Sequence, residues 1–551
     1  MNHRRKIFLA LSALAAAAGL AACGGGGSSG TMASGMVNVS VTDAPTADFD
    51  HVWVTIAEIR FHTSNAVAAN DPGWLKFPLA APITVDLAAL NNGSLQSVFA
   101  GITLPVGTYQ QIRLLLVPDT SPLAASAVAQ RITYNDEVDW TDVLGSHVAP
   151  LEIAAPVQGI GISGTFTVST AAPLDLVLDF DVGHDVVRFL HNGNSAYTLK
   201  PNLRYFDLAE ASAVVGQVDA AGLCTTTMVG CAYNLVIKSE EMSADGSHHA
   251  ATRFTTVRHD GSFTLYPLRV PAGQTSTTID VLLRGRGMDT MLVTGVPVTA
   301  GTTPTSNPTR LSSAALPLTI DAGEYTANAS AALSPTGAWL NFFQTLPGAA
   351  QVPYEVRYRH VNPFTGVFTD AIPLSTGPIE LGTYVAGGSP TLAAVVPQEG
   401  LGGFQPWAGA PDYTRTEAAG GIVSAAAPAF TVAQLPVNAA VASADSISGM
   451  IVQRTPGTYD RGFVVVVRMG TIVTTQALDS VLVMNAGAGG AYSVANLPGG
   501  SAAKSLPGAY YYLYARVWNS AHPLATLKRI DFDGFADLRS GSASNINATL
   551  N

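Results

Sequence analysis

Apolar and polar residues alternate with a period of two along most of residues 36–208. In Val37-Asn38-Val39-Ser40-Val41-Thr42 the valines fall on one side of an extended chain and the polar residues on the other, until Asp43-Ala44-Pro45 ends the run. Residues 52–61 predict a second strand whose apolar phase slips by one position between Ile56 and Ile59, the mark of a β-bulge. Gln111-Ile112-Arg113-Leu114-Leu115-Leu116-Val117 is almost continuously apolar and predicts a strand covered on both faces. Residues 164–168 and 174–182 add two more strands, while Asn91-Asn92-Gly93 and Pro105-Val106-Gly107 supply turns. Helical prospects are confined to one short segment within 86–99.

The second half repeats the theme. Val214-Val215-Gly216-Gln217-Val218 opens a new series of strands, followed by His259-Asp260-Gly261-Ser262-Phe263-Thr264-Leu265 and the turn Val270-Pro271-Ala272-Gly273. Ile447-Ser448-Gly449-Met450-Ile451-Val452 and the hairpin-like 489–500 echo that order near the end of the chain, as a degenerate repeat. Tyr354-Glu355-Val356-Arg357-Tyr358-Arg359 alternates between them, and stretches rich in Gly, Ala, Pro and Ser near 300–313 and 408–444 read as linkers or long loops. The expected fold is all-β: tandem β-sandwiches at 36–208, 212–313 and 445–551, with a β-rich module at 314–440.

Composition agrees with this reading. At about 150 residues per domain, 551 residues hold three or four domains. Charged residues are only 12%, with 53 Gly and 33 Pro, which describes a loop-rich globular protein and neither a coiled coil nor a disordered tail. Arg4, Arg5 and Lys6 account for three of the 28 basic residues, so the rest of the chain carries 25 against 39 acidic ones. That excess disfavours a nucleic-acid partner, whose phosphates require a basic footprint.

Those three cations open an export signal. An apolar run over 7–20 follows, shorter than the about 20 residues a membrane-spanning helix needs, and small residues precede a cysteine. Leu20-Ala21-Ala22-Cys23 resembles the bacterial lipobox. The resemblance implies a signal peptide at 1–22, acyl chains of the palmitate type on Cys23, and membrane attachment through that lipid. Residues 23–35, with Gly24-Gly25-Gly26-Gly27-Ser28-Ser29-Gly30, form the tether. Gly24 in place of Asp after the cysteine implies the outer membrane. In such an oxidising compartment Cys224 and Cys231 are expected to pair, clipping a short loop. The alternative is a zinc site, but neither Cys-x-x-Cys nor a nearby His pair accompanies them.

Ser40-Val41-Thr42-Asp43-Ala44-Pro45, Val52-Trp53-Val54-Thr55-Ile56, Thr84-Val85-Asp86-Leu87, Leu104-Pro105-Val106-Gly107-Thr108-Tyr109, Leu178-Asp179-Phe180-Asp181-Val182 and Leu199-Lys200-Pro201-Asn202-Leu203-Arg204 occur in one succession. Together they resemble the bacterial domain of unknown function DUF4382, over about a third of the chain. That resemblance implies a β-sandwich on exported lipoproteins and brings no reaction with it. The segment from His259 to Gly273 and its later echo are similar to carboxypeptidase-regulatory-like, prealbumin-like sandwiches.

Two sets of side chains suggest ligands. Alternation over 174–182 puts Asp175, Asp179 and Asp181 on one strand face, where carboxylates about 7 Å apart repel unless an arginine or a cation intervenes. A calcium site completed by Asp43 or Asp86 is one reading; a solvated face, or pairing with Arg113 or Arg204, is the other. Asp531-Phe532-Asp533-Gly534-Phe535-Ala536-Asp537 imitates part of a calcium loop without the closing glutamate. The second set is the stripe Tyr510, Tyr512, Tyr514, Arg516 and Trp518, expected on one strand face. Exposed, it would stack on sugars or bind protein; otherwise it packs across strands. No Gly-x-Ser-x-Gly elbow, His-Glu-x-x-His or phosphate loop stands in the required strand-turn-helix context. His51, His62, His147, His184, His191, His248, His249 and His259 are expected on surfaces or loops. The chain therefore reads as a non-catalytic, lipid-anchored envelope protein that binds glycan or an envelope partner, with no cofactor except a calcium candidate. The alternatives are a calcium-stabilised adhesin and a polysaccharide hydrolase, whose paired carboxylates are assembled in space and not along the sequence.

Overall fold

The computed structural model describes residues 33–550 except 45–47, 192–193, 220–234, 286–287, 320–323, 329–330, 347–351, 369–370, 376–377, 396–402, 418–421, 425, 433, 485–488, 502, 505, 507 and 524–526. Among the described residues the α-helices are Ala125–Gln130, Val182–Asp185 and Asp479–Met484, none longer than six residues. The fold is all-β. No helix there is long and apolar enough to cross a membrane.

The first sandwich has two sheets. One runs in the order Arg204–Asp207, Leu174–Phe180, Ser34–Asp43, Gln96–Pro105; the other follows Val186–His191, Asn194–Leu199, Gly145–Ile153, Glu137–Asp142, His51–His62, Gly107–Leu116, Ile160–Val168, with Leu75–Asp86 also paired to His51–His62. Valines 37, 39 and 41 meet Ile56, Ile59, Ile112 and Leu114 in a single core between the sheets, as the alternation requires. The phase slip in His51–His62 is a register shift between Ile56 and Glu58 against both neighbours. Gly107–Leu116 is central, between His51–His62 and Ile160–Val168, which accounts for its unbroken apolar run. The helix expected within 86–99 shrinks to one 3-10 turn, Ala88–Leu90. Asn92 and Gly93, both in the left-handed region at φ 53° and 78°, turn the chain there and send it into strand Gln96–Pro105.

Two later sandwiches share one strand order. In the first, Ala211–Gln217 lies between antiparallel Ser262–Arg269 and parallel Thr309–Arg310, and faces antiparallel strands in the order His249–Thr256, Val236–Met242, Ser276–Arg284, Thr290–Thr299. In the second, Ser443–Gln453 lies between antiparallel Gly490–Gly499 and parallel Ala548–Leu550, and faces Thr471–Ala477, Arg461–Arg468, Tyr510–Trp518, Lys528–Asp531. Numbered within each unit, both read 4-1-last over 3-2-5-6. Both opening strands are also bulged at their start, at Ser212/Val214 and at Asp445/Ile447.

The segment expected as a separate module at 314–440 behaves differently. Its strands lengthen the sheet of the preceding unit at both edges. Ile379–Thr383 adds in parallel to Thr290–Thr299, and Tyr354–His360 continues through Trp339–Gln344 to Gln405–Gly409 beyond His249–Thr256. The result is a ten-stranded sheet whose added part has its own core around Phe342, Val356, Phe404 and Leu435. Exposed sheet edges offer unpaired backbone groups, and here a following segment of the same chain covers them.

Candidate functional site

The motifs that are far apart in sequence end side by side. Ser34–Asp43 and Leu174–Phe180 run parallel, with Asp43 opposite Phe180, so Thr42-Asp43 and Asp179-Phe180-Asp181 leave the sheet together. Asp43 Oδ1 accepts from the Val182 amide at 2.9 Å and starts the one-turn helix Val182–Asp185. The Asp185 carboxylate then accepts from the amides of Asp181 (3.2 Å) and Asn202 (3.0 Å), which brings Lys200, Asn202 and Arg204 beside it.

The next sandwich closes over this corner. Arg253, on strand His249–Thr256, pairs through Nη1 with Asp179 Oδ1, while its Nη2 donates to the Asp43 carbonyl (2.9 Å) and Thr42 Oγ1 (3.3 Å). Both partners are within 2% of full burial, and Arg204 Nη2 reaches the other Asp179 oxygen at 3.4 Å. Even with two guanidiniums present, complete burial holds Asp179 above the usual carboxylate range. Burial pushes Asp181 upward too, but His184, Arg204 and Arg253 outweigh it and keep it below its ordinary value. Burial, reinforced by Asp181, drives Asp185 well up.

From Asp181 a row of polar groups crosses the module boundary. His184 Nδ1 contacts Asp181 at 2.6 Å, and its ring meets Tyr358 edge-on at 4.1 Å. The Tyr358 hydroxyl is 3.4 Å from His360 Nε2, and His360 Nδ1 is 3.0 Å from Lys200 Nζ, which also donates to the Gly337 carbonyl. Burial brings the Lys200 amine down to about 7, with Asp185 partly opposing, and the same burial with Lys200 alongside depresses His360. Around this row lie two adjoining hollows of about 310 and 380 Å³, sharing Asn202, Arg204, Trp339, Tyr358 and Tyr413. Arg415 closes one end between the rings of Phe343 (4.2 Å) and Trp407 (4.9 Å), donating to His248 at 2.6 Å. Burial and that guanidinium lower His248 to about 4, so it is a neutral acceptor. Arg468, from the last sandwich, pairs with Asp412 at the other end. Chemically, this is a neutralised corner: opposite charges meet across module boundaries, and aromatic faces line what space remains.

Asp175, Asp179 and Asp181 do not converge. Asp175 is exposed and accepts from Asn38 at 2.8 Å, Asp179 is taken by arginines and Asp181 by His184. Among the described residues no group of three His, Cys, Asp or Glu is placed to hold a metal. Asp86 is engaged by His51 at 2.7 Å, and Asp531 and Asp537 by Arg529 and Arg539 at 2.9 and 2.7 Å. Of the two readings of this strand face, pairing with Arg204 holds for Asp179 while Arg113 takes no part, and Asp175 stays in solvent although Val177 and Asp179 are as buried as Leu176 and Leu178.

The middle of the aromatic stripe is also covered. Tyr512 and Tyr514 are 8% and 0% exposed, with Tyr510 and Trp518 half-buried. The first sandwich lies against them: Ala154 and Ala155 share a small core with Tyr512, Tyr514, Val465 and Val467. The Tyr514 hydroxyl donates to Glu152 at 3.2 Å, Arg516 pairs with Glu152 at 2.7 Å, and Arg529 lies 3.9 Å over the Tyr514 ring while donating to the Ile153 and Ala154 carbonyls. The histidines depart from expectation likewise, since His62 is buried and His184, His248 and His249 face module junctions. Cys23, Cys224 and Cys231 lie outside the described residues. Arg253, Tyr358, His360 and Arg415 carry no motif; a lone cation in the alternating run Ala251-Thr252-Arg253-Phe254 is the one signal that marks any of them.

These contacts make the first sandwich a recognisable unit. Residues 34–201 match the family model described as Domain of unknown function (DUF4382). The match takes in Asp43, Asp179, Asp181, Asp185 and Lys200, so the DUF4382 domain supplies one side of the corner and the following sheets supply the other. No curated protein matches the sequence. Among solved structures, the chain is similar to the Bacillus anthracis TIE protein at 9% identity, over 95% of this chain and 75% of that one, with a TM-score of 0.13. It is also similar to a Streptococcal ancillary pilin (12%, 61% of this chain and 99% of that one, TM-score 0.12) and to the major pilin SpaD of Corynebacterium diphtheriae (9%, 63% and 98%, TM-score 0.12). Overlaps this loose say nothing about ligands.

Proposed function

We propose that the protein is a lipid-anchored, non-catalytic component of a bacterial cell envelope, held at the outer membrane by acyl chains on Cys23 and offering its stacked sandwiches to glycan or a partner protein. Leu20-Ala21-Ala22-Cys23, similar to a lipobox, carries the anchor, and the way the sandwiches are joined carries the structural role. Arg253 with Asp179, Arg468 with Asp412 and Arg516 with Glu152 each span a boundary between units. Desolvated pairs of this kind fix relative placement, because separating the units would strand a charge. A stack held in this way stands off a membrane as one body, with Gly24 to Gly30 as its leash. The shared strand order of 211–310 and 443–550 supports the prealbumin-like reading of both units.

The anchor is tested by Cys23→Ser in the full chain, followed by membrane fractionation. The variant is expected in the soluble fraction while the parent sediments with outer membrane. Continued sedimentation of the variant would refute the anchor.

A further inference from the structure

A second junction, between the DUF4382 domain and the last sandwich, contains a groove of about 530 Å³ whose charge is not neutralised. One wall is a row of cations on three neighbouring strands: Lys76 is directly opposite Arg60, and Arg60 directly opposite Arg113. Like charges facing each other across strands oppose sheet formation. Among the described residues one carboxylate serves the row, Glu58 on Arg60 at 2.6 Å.

Arg113 is 4% exposed, and its ion-pair partner is missing among the described residues. Nη1 donates to the Gln158 carbonyl at 2.8 Å, Nη2 to the Val67 carbonyl at 3.4 Å, the guanidinium lies 5.1 Å from the Trp74 ring, and Nε has no acceptor. An arginine cannot shed its proton to relieve burial. The opposite wall is aromatic: Tyr510 and Phe535 meet edge-on at 5.1 Å, with Phe535 39% exposed, and Tyr512 lies alongside. Its carboxylate, Asp531, is already held by Arg529.

We infer that this groove binds an acidic sugar, with a uronate carboxylate received by Arg113 and Arg60 and the apolar face of the sugar ring laid on the exposed Phe535, against the edge of Tyr510, whose ring also carries Arg539 at 4.5 Å. The guanidinium fork matches a carboxylate bidentately, and aromatic faces accept the C–H side of a pyranose. Small residues, Ala68, Ala69 and Ala155, leave the room between the walls. Lys76, exposed at the rim, adds attraction that salt screens. The inference deepens the glycan-binding reading, and it is independent of whether Cys23 carries lipid.

Titration calorimetry of the purified full chain with tetragalacturonate tests it, with the methyl-esterified oligomer and inorganic phosphate as controls. Binding is expected for the acid, at least tenfold weaker for the ester, and absent for phosphate at equal concentration. Arg113→Met should weaken binding at least tenfold and Tyr510→Ala severalfold. Lys76→Glu alters only an exposed side chain, so it tests the site even if Arg113→Met fails to fold, and it should also weaken binding severalfold. Equal binding of the ester, full competition by phosphate, or unchanged affinity in Lys76→Glu would each overturn the assignment. Such a failure leaves membrane release by Cys23→Ser untouched, so the two proposals fail separately.

Discussion

Two arginines, each at a boundary of the DUF4382 domain and each almost wholly buried, meet opposite fates. Arg253 reaches across from the second sandwich onto Asp179 and is completed by the carbonyl of Asp43 and the hydroxyl of Thr42. Arg113 is equally hidden but finds two carbonyls and an indole face, beside a groove open to solvent. The first arrangement spends its charge on holding two modules in register. The second leaves its charge for an anion from outside. Burial alone therefore does not separate a structural cation from a binding one; what separates them is whether the protein itself supplies the counter-charge.

Breaking the first arrangement should have the larger effect. Arg253→Met leaves Asp179 buried with only Arg204 at 3.4 Å, and removal of one partner of a buried pair costs about 3–5 kcal/mol. Arg113→Met strands no carboxylate and leaves only the Gln158 and Val67 carbonyls without their donor, so its cost should be smaller, about 1–2 kcal/mol. Urea unfolding followed on both variants is the measurement, and the double variant Arg253→Met with Asp179→Leu should recover much of the loss. Equal destabilisation by Arg253→Met and Arg113→Met would collapse the distinction.

Much of this contrast is hidden from the sequence for a physical reason. Alternation reports which face of a strand is apolar, and it located the DUF4382 sheets, the bulge at Ile56 and the repeated opening strands. It does not report what covers the other face. The period leaves open whether the Asp175, Asp179 and Asp181 face and the tyrosine stripe meet solvent or are covered, and it is a different module that covers Asp179 and Tyr514, through Arg253 in one case and Ala154 and Ala155 in the other. Contacts between units more than 70 residues apart leave no local mark. The same holds for the 314–440 segment, where strand pattern was legible but the sheet it joins was not. Motif succession did better, because Asp43, Asp179, Asp181, Lys200 and Arg204 all arrive at one corner.

Lys200 sharpens the comparison with a third outcome, since a lysine can lose its charge where an arginine cannot. Its amine sits at about 7 in the folded protein against an ordinary 10.5, so burial disfavours the charged form. Between those two values the unfolded chain holds a proton that the folded one does not, and stability rises with pH across that window; as pH falls through 7 that contribution is lost. At about 1.4 kcal/mol per pH unit, the full window corresponds to roughly 5 kcal/mol. Lys200→Met should flatten this rise, measured as unfolding midpoints from pH 6 to pH 10. Parallel pH profiles for the parent and the variant would mean that the amine stays charged and that the corner neutralises it fully.

The smallest effect should come from Tyr514→Phe, at the boundary where the groove and the stripe meet. The substitution removes one hydrogen bond to Glu152, worth about 0.5–1.5 kcal/mol, while Arg516 keeps its 2.7 Å contact with the same carboxylate and Arg529 keeps the ring. Because Glu152 retains a charged partner, no buried anion is stranded, and the case differs in kind from Arg253→Met. Hydrogen exchange in strand Gly145–Ile153 is the readout, with protection expected to fall by no more than about tenfold. A loss comparable to that of Arg253→Met would show that the tyrosine, and not the ion pair beside it, holds the last sandwich in place. The stripe would then owe its aromatic character to the joint itself, and the groove next to it would inherit Tyr510 and Tyr512 as a by-product of docking.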